Sequence, residues 1–372
     1  MAQTHVMNRR QRVQAAFDGK VSDWPPVSIR LDLWHTDAVA SGSLPPELAG
    51  LSPEQVEDYL GFSRAARFRR PPKWVFPSCQ VVERRTEREI IKEYRFPGRT
   101  LTHRAGRDAQ AERMGLRSHS LGYPLATRED YVTLLDHMGD ARLEFAPGRF
   151  ADFDTATCDA GLPMLIVACC PAHMLMISWA GYENFYLHLA DFPDVVEKLV
   201  AEMERVYRRD LWPYVQASGA RLILHGAHFS TQMTPRPVFR QFFLPYFSQF
   251  NELMHRSGRQ VVFHADAECA GLVQEVLECG FDGADCLATA PLVPKKLEDY
   301  LEAWQGKVVC WGGLPSTIFD PTFPADRYEQ HVRQVVSVMR GRADCILGAS
   351  DNVMPGADWE RLRLLARLTR EP

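Results

Sequence analysis

The chain has 372 residues, 46% of them hydrophobic and 24% charged, the balance of a globular protein able to bury a large core and not of a disordered one. A formal net charge of -4 and an isoelectric point near 6.3 offer no basic face to a phosphate backbone, so nucleic acid is not an expected partner. The length admits one large barrel with an extension or two ordinary domains.

Residues 1–18 are polar and mixed in charge, and Arg9, Arg10 and Arg12 are followed by no apolar stretch of the signal-peptide kind, so a cytoplasmic protein is expected. A first strand is expected at 26–31. Residues 81–94 and 100–104 read as an antiparallel hairpin turning at Pro97-Gly98, and 128–138 as a helix; together they form an N-terminal elaboration on the main fold. From residue 162 onward the pattern is regular. Short apolar strands at 162–168, 221–225, 260–264, 283–286, 308–311 and 345–348 alternate with amphipathic helices at 193–217, 236–256, 269–279, 294–304, 325–339 and 357–369. Continuous apolar strands separated by single helices indicate a parallel sheet covered by helices. An open, doubly wound sheet would carry a glycine-rich phosphate loop after an early strand, and no G-x-G-x-x-G or Walker sequence is present. The expected fold is therefore α/β, a (β/α)8 TIM barrel.

Pro25, Pro26, Pro45, Pro46, Pro71 and Pro72 mark loops inside one unit, no linker or repeat is visible, and 1–372 is expected to be a single domain. No apolar run approaches the length of a membrane span. Nine cysteines, an odd number without framework spacing, suit reduced, mostly core thiols.

Barrel enzymes carry their chemistry at the C-terminal ends of strands. Here three strand ends are rich in it: His225 and His228 after 222–224; His264, Asp266, Glu268 and Cys269 after 261–263; and Ser350, Asp351 and Asn352 after 346–348. His264 and Asp266 are two residues apart at a strand terminus, which sends both side chains the same way, and Asp351 can complete a three-ligand metal site with Cys269 or His228 as a fourth. The same residues also read as a hydrogen-bonded core histidine and a helix-capping aspartate. His225 suits either catalysis or a satisfied place at the barrel mouth, and the Arg64–Arg70 cluster either an anionic substrate or a solvated face. No G-x-S-x-G elbow or paired C-x-x-C supports a serine hydrolase or a zinc knuckle.

Several short motifs in order resemble uroporphyrinogen decarboxylase-like proteins. They are Asn8-Arg9-Arg10-Gln11-Arg12-Val13 with Ala15-Ala16-Phe17, Gly19 and the stretch 23–27; Gly181-Tyr182-Glu183-Asn184-Phe185 with Asp191-Phe192-Pro193; Met233-Thr234-Pro235, Phe239 and Leu244-Pro245-Tyr246; then 258–264, Gly280-Phe281-Asp282 and Gly312-Gly313-Leu314. The resemblance covers 8–368 and implies a (β/α)8 barrel. The R-Q-A-G-R-Y segment of the porphyrin decarboxylases is missing; Arg30-Leu31-Asp32-Leu33-Trp34-His35 stands in its place, and His228 falls near the family's catalytic aspartate. The corrinoid-dependent methyltransferase branch binds zinc through an H-x-C and a later G-C cysteine. His264 matches the first ligand, while Asp266 and Asp351 stand where the two cysteines are expected.

The resemblance thus implies a metal site, Zn2+ held by His264, Asp266 and Asp351, in an enzyme of the methyltransferase branch. Two carboxylates in place of thiolates make a harder site, suited to an oxygen leaving group. The expectation is an O-demethylase that moves a methyl group from a small methylated substrate to a corrinoid carried on a partner protein. His228 or His225 would serve as the proton donor, and Trp34, Phe229 and Trp311 as a flat apolar substrate wall. A decarboxylase or lyase acting on a small aromatic or heterocyclic acid is an alternative with the same fold, and a non-catalytic subunit that binds a corrinoid protein is another. A homodimer is an expectation that rests only on how common dimers are.

Overall fold

The computed structural model describes residues 6–113 and 118–371. Seven parallel strands make one curled sheet in the spatial order Arg67–Arg69, Met164–Ile166, Leu222–Ala227, Gln260–His264, Gly283–Leu287, Val309–Leu314 and Cys345–Ala349. Spatial order follows chain order, as it must when each parallel strand is reached by a crossover of the same hand. The segment at Val27 closes the sheet through a parallel bridge to Leu347. Ser28 N donates to Leu347 O at 2.9 Å, Leu347 N to Pro26 O at 2.8 Å, and Ser63 N to Val27 O at 2.7 Å just before the strand Arg67–Arg69. The architecture is a TIM-like α/β barrel.

Two expectations about the barrel strands change. The first strand, expected over 26–31, shrinks to a single bridge, because Pro25 and Pro26 have no N–H to give to a ladder. The arginine run, which reads as a contact for an anionic substrate or as a solvated face, supplies a barrel strand, Arg67–Arg69.

Between Arg67–Arg69 and Met164–Ile166 lies the elaboration: an antiparallel pair, Lys73–Val75 with Arg142–Glu144, and a four-stranded antiparallel sheet of Gln80–Arg85, Glu89–Phe96, Arg99–Gly106 and His119–Gly122. The expected hairpin turns at Pro97-Gly98, with Phe96 paired to Arg99 and Gly98 at φ +80°. Its first arm, expected as one strand over 81–94, is two. Thr86 breaks it by folding its hydroxyl onto the amides of Arg88 and Glu89, a local bond that competes with the ladder.

The outer helices follow the sequence pattern. The stretch 193–217 runs as Pro193–Val206, a wide π turn over Tyr207–Leu211, and Trp212–Ala217; 236–256 has the same form, with a π turn over Phe239–Phe243 before Leu244–Arg256. Each wide turn ends two residues before a proline, Pro213 or Pro245, and makes room for a ring that would otherwise strike the preceding turn. No helix among the described residues is long and apolar enough to cross a membrane.

Inside the barrel, Leu162, Met164, Ile166, Leu222, Leu224, Val262, Val309, Trp311 and Ile346 meet Val13, Ala16 and Phe17 of the helix Arg9–Phe17, forming a core separate from the one under the outer helices. Asn8 and Gln11 close a capping box that fixes where this helix starts. A strand repeats its facing every two residues, so two positions beyond Val262 is His264 and two beyond Gly283 is Asp285. Polar groups therefore stand directly above the apolar filling, at the C-terminal end of the barrel.

Candidate functional site

His264 is the centre of the cluster. Its Nδ1 lies 3.1 Å from Asp285 Oδ2, and its Nε2 lies 3.5 Å from Asp266 Oδ2 and 3.3 Å from Asp351 Oδ1. Asp285 is fully buried, and Arg67 Nη2 reaches its two oxygens at 2.6 and 2.8 Å. Arg30 Nη1 holds Asp351 Oδ1 at 2.6 Å and its Nη2 holds Asp32 at 3.1 Å, while Asn352 Nδ2 donates to the other Asp32 oxygen at 2.9 Å. His228, half exposed at the lip, brings Nδ1 to 3.1 Å from Asp266 Oδ1.

The charges follow from this packing. Burial disfavours the imidazolium of His264, but the Cys286 sulfur and the carboxylates of Asp266, Asp285 and Asp351 outweigh it and raise the pKa well above the usual value. Burial likewise opposes ionisation of the three carboxylates, and their cationic neighbours overcome it. His228 and His264 lower Asp266, Arg67 and His264 lower Asp285, and His264 and Arg30 lower Asp351. Arg67 is held charged against full burial, chiefly by Asp285.

Three of the five non-glycine residues with positive φ among the described residues stand at this site: His228 at +54°, Cys286 at +59° and Asp351 at +63°. Each such conformation costs about 1–3 kcal/mol and persists where a side chain must be placed against the preference of its backbone.

The structure brings His264, Asp266, Asp351 and His228 together, and it sends the other expected site residues elsewhere. His225 has the opposite facing to Leu224 and is fully buried under the outer helix Leu244–Arg256. One ring nitrogen meets Ala168 O and the other Tyr246 Oη at 2.8 Å, and burial depresses its pKa to about 4. It is a packed, neutral core histidine with no proton to deliver to the mouth. Trp34 is buried on an outer helix, donates to Ala357 O at 3.0 Å and stacks on Trp359. Phe229 is buried among Phe239, Phe243, Phe247 and Phe263, and Trp311 belongs to the barrel filling, donating to Ser28 O at 3.1 Å. None of these three rings forms a substrate wall at the mouth. Cys269 is buried beside Tyr300, its thiol pushed up to about 12 by burial, and is no fourth ligand.

Sequence reasoning passed over Asp285, Cys286 and His173, and it placed Arg67 in an arginine cluster without its partner Asp285. His173 is fully buried, bonded through Nε2 to Tyr182 Oη at 2.6 Å, with its ring 5.9 Å from that of His228. One signal for Asp285 is available: a carboxylate inside the apolar strand Ala284-Asp285-Cys286-Leu287 has to find a cation.

His264, Asp266 and Asp351 each offer a ligand atom within 4.8 Å of the other two, as do His264, Asp285 and Cys286. The donors suit a divalent ion. Asp285 on Nδ1 leaves the Nε2 lone pair for coordination, the usual arrangement behind a metal-bound histidine. Arg30 pairs with Asp32 and Asp351, Arg67 with Asp285, and Asp266 with the two imidazoles, so the site gathers four carboxylates, an anionic setting that a dication suits.

No protein-family model matches this sequence, and no curated protein matches it. Among solved structures the chain is similar to a methyltransferase from Methanosarcina mazei, at 13% identity, with 98% of each chain covered and a TM-score of 0.58. A B12-independent methionine synthase from Shewanella sp. W3-18-1 matches at 11% identity over 80% of this chain and 73% of that one, with a TM-score of 0.34. A glycoside hydrolase family 5 enzyme from Prevotella bryantii B14 matches at 9% identity over 97% of both, with a TM-score of 0.42. At these identities the likeness is one of fold: a TIM-like barrel matched over nearly its whole length by the first of them.

Proposed function

We propose that this chain is a metal-dependent methyltransferase of the O-demethylase kind, which takes a methyl group from a small methylated substrate and passes it to a corrinoid carried by a partner protein. The observation that carries the reading is His264 Nε2 set between Asp266 and Asp351 at the barrel mouth with Nδ1 held by Asp285. The fold shared with the Methanosarcina mazei methyltransferase supports methyl transfer as the reaction class.

His264, Asp266 and Asp351 would hold the ion, zinc in the first instance. When bound, a divalent cation supplies Lewis acidity that polarises the ether oxygen of the substrate. The protein's own groups do the rest. Asp285 fixes the His264 ring and its tautomer, and Arg67 fixes Asp285. Arg30 keeps the Asp351 carboxylate turned to Nε2. The oxygen that loses its methyl group departs as an alkoxide or phenoxide and needs a proton, and His228, half exposed and beside Asp266, is the group at the lip placed to deliver it.

Metal content of the protein purified without chelator, measured by mass spectrometry for wild type, His264→Ala and Asp351→Ala, tests the site. Near-stoichiometric metal in the wild type and its loss in both variants is the expected result. Methyl transfer from a methoxylated aromatic to a corrinoid protein then tests the reaction. A wild type that neither carries nor rebinds zinc would overturn the proposal and favour acid–base lyase chemistry.

A further inference from the structure

The cluster around His264 uses only part of the Arg64–Arg70 run. Arg67 engages Asp285 through Nη2, but its Nε is buried without a hydrogen-bond partner. The same side chain, 8% exposed, lines a cavity of about 620 Å³ that lies against the strand Arg67–Arg69, between the helices Pro53–Leu60 and Phe150–Thr157. That strand pairs with Met164–Ile166 along one edge. Among the described residues no ladder joins its other edge to the segment at Val27, so side chains make the wall there.

Arg64, Arg67 and Arg69 bring guanidinium groups to this lining, against the carboxylates of Asp32 and Glu54. The remaining acid is Glu57, 4% exposed, whose Oε2 accepts the Ala65 amide at 3.1 Å and which forms no ion pair among the described residues. Burial pushes its carboxyl well above the usual range, and the charges of Glu54, Asp32 and Asp58 push the same way, so Glu57 stands as an O–H donor and not as an anion. Phe153, Ala65 and Ala66 supply apolar wall. A buried donor left unpaired is costly, and an acceptor on a ligand relieves it. The cavity also has the size and the mixed lining of a small-molecule site.

We propose that this cavity binds a small organic carboxylate, anchored by the Arg67 guanidinium and the Glu57 carboxyl. Asp285 already holds Nη2 of Arg67, and the ligand's oxygens answer the donor that Asp285 leaves unpaired. Glu57 donates its O–H to the same carboxylate, a charge-assisted bond that a neutral ligand of the same shape does not form. The apolar body of the ligand packs on Phe153 and the two alanines. The site shares Arg67 and Asp32 with the cluster around His264 and does not depend on a metal there.

The test is isothermal titration calorimetry of the full chain with sodium benzoate at constant ionic strength, with benzamide and sodium phosphate as comparison probes. The wild type is expected to bind benzoate, and to bind the other two about 10-fold more weakly or not at all. Glu57→Leu, which keeps the bulk and removes the donor, should weaken benzoate about 10-fold; Glu57→Gln, which keeps a donor, should weaken it less. Ala156→Trp, at an exposed helix position on the cavity wall, should abolish binding. A wild type that does not bind benzoate would overturn the site, as would benzoate binding that survives both Glu57→Leu and Ala156→Trp. Benzamide or phosphate bound as tightly as benzoate would overturn the carboxylate. Should Glu57→Leu not fold, Ala156→Trp decides. A wild type that shows the expected pattern but carries no metal would leave this site standing and overturn the metal reading alone.

Discussion

Asp285 links the two halves of the site's chemistry, since one carboxylate orients His264 and compensates the buried Arg67 guanidinium. Arg67→Met leaves that carboxylate buried with only an imidazole to face, and stability should fall by about 3–5 kcal/mol in urea denaturation. His264 sets a pH signature for the metal-free protein. Its folded pKa is raised, so its contribution to stability is full below the unfolded value of 6.5 and is lost as pH rises through the folded value. The Asp266, Asp285 and Asp351 carboxylates are depressed, so theirs is present above 3.8 and is lost as pH falls through the folded values. The stability difference between wild type and His264→Gln, measured without metal, should shrink as pH is raised through the alkaline range; a difference independent of pH would show that His264 is not charged there. His225→Gln should lower stability by about 1–3 kcal/mol while leaving metal content untouched. His264, Asp266 and Asp351 are legible in the sequence because they stand at strand ends, the first two with a two-residue spacing. Asp285 and Arg67 are not, because their partnership exists only once barrel closure joins residues 218 apart in the chain.

The elements divide in the same way. Gln260–His264 and Ala325–Met339 fall where apolar periodicity sets them, each having one face to bury. Arg67–Arg69 is unreadable as a strand, because Arg67 answers the buried Asp285 in the barrel and not an apolar core. The split of the first hairpin arm is equally hidden, since it depends on one threonine hydroxyl choosing its own backbone over the ladder. The Pro97-Gly98 turn is readable because proline presets one torsion and glycine accepts the positive φ that the next position demands. Gly98→Ala should cost about 1 kcal/mol from backbone strain alone, with open space around the new methyl group, and should leave metal content unchanged by mass spectrometry.

At the scale of the whole molecule, the helix Arg9–Phe17 acts as a floor. Phe17 meets Trp311 edge-on at 6.3 Å between ring centroids and completes the apolar filling beneath the charged cluster. Phe17→Ala should therefore cost about 3–5 kcal/mol, visible as a lower denaturation midpoint. Alternating strands and helices make the barrel legible, whereas the identity of its occupant is not, because the groups around the mouth come from strand ends and loops that no single periodicity joins. A filled floor also closes the barrel, among the described residues, at the end away from the charged cluster. Whatever reaches His264 across the C-terminal rim and whatever leaves the same way must take turns, an order set by architecture before any rate constant is known.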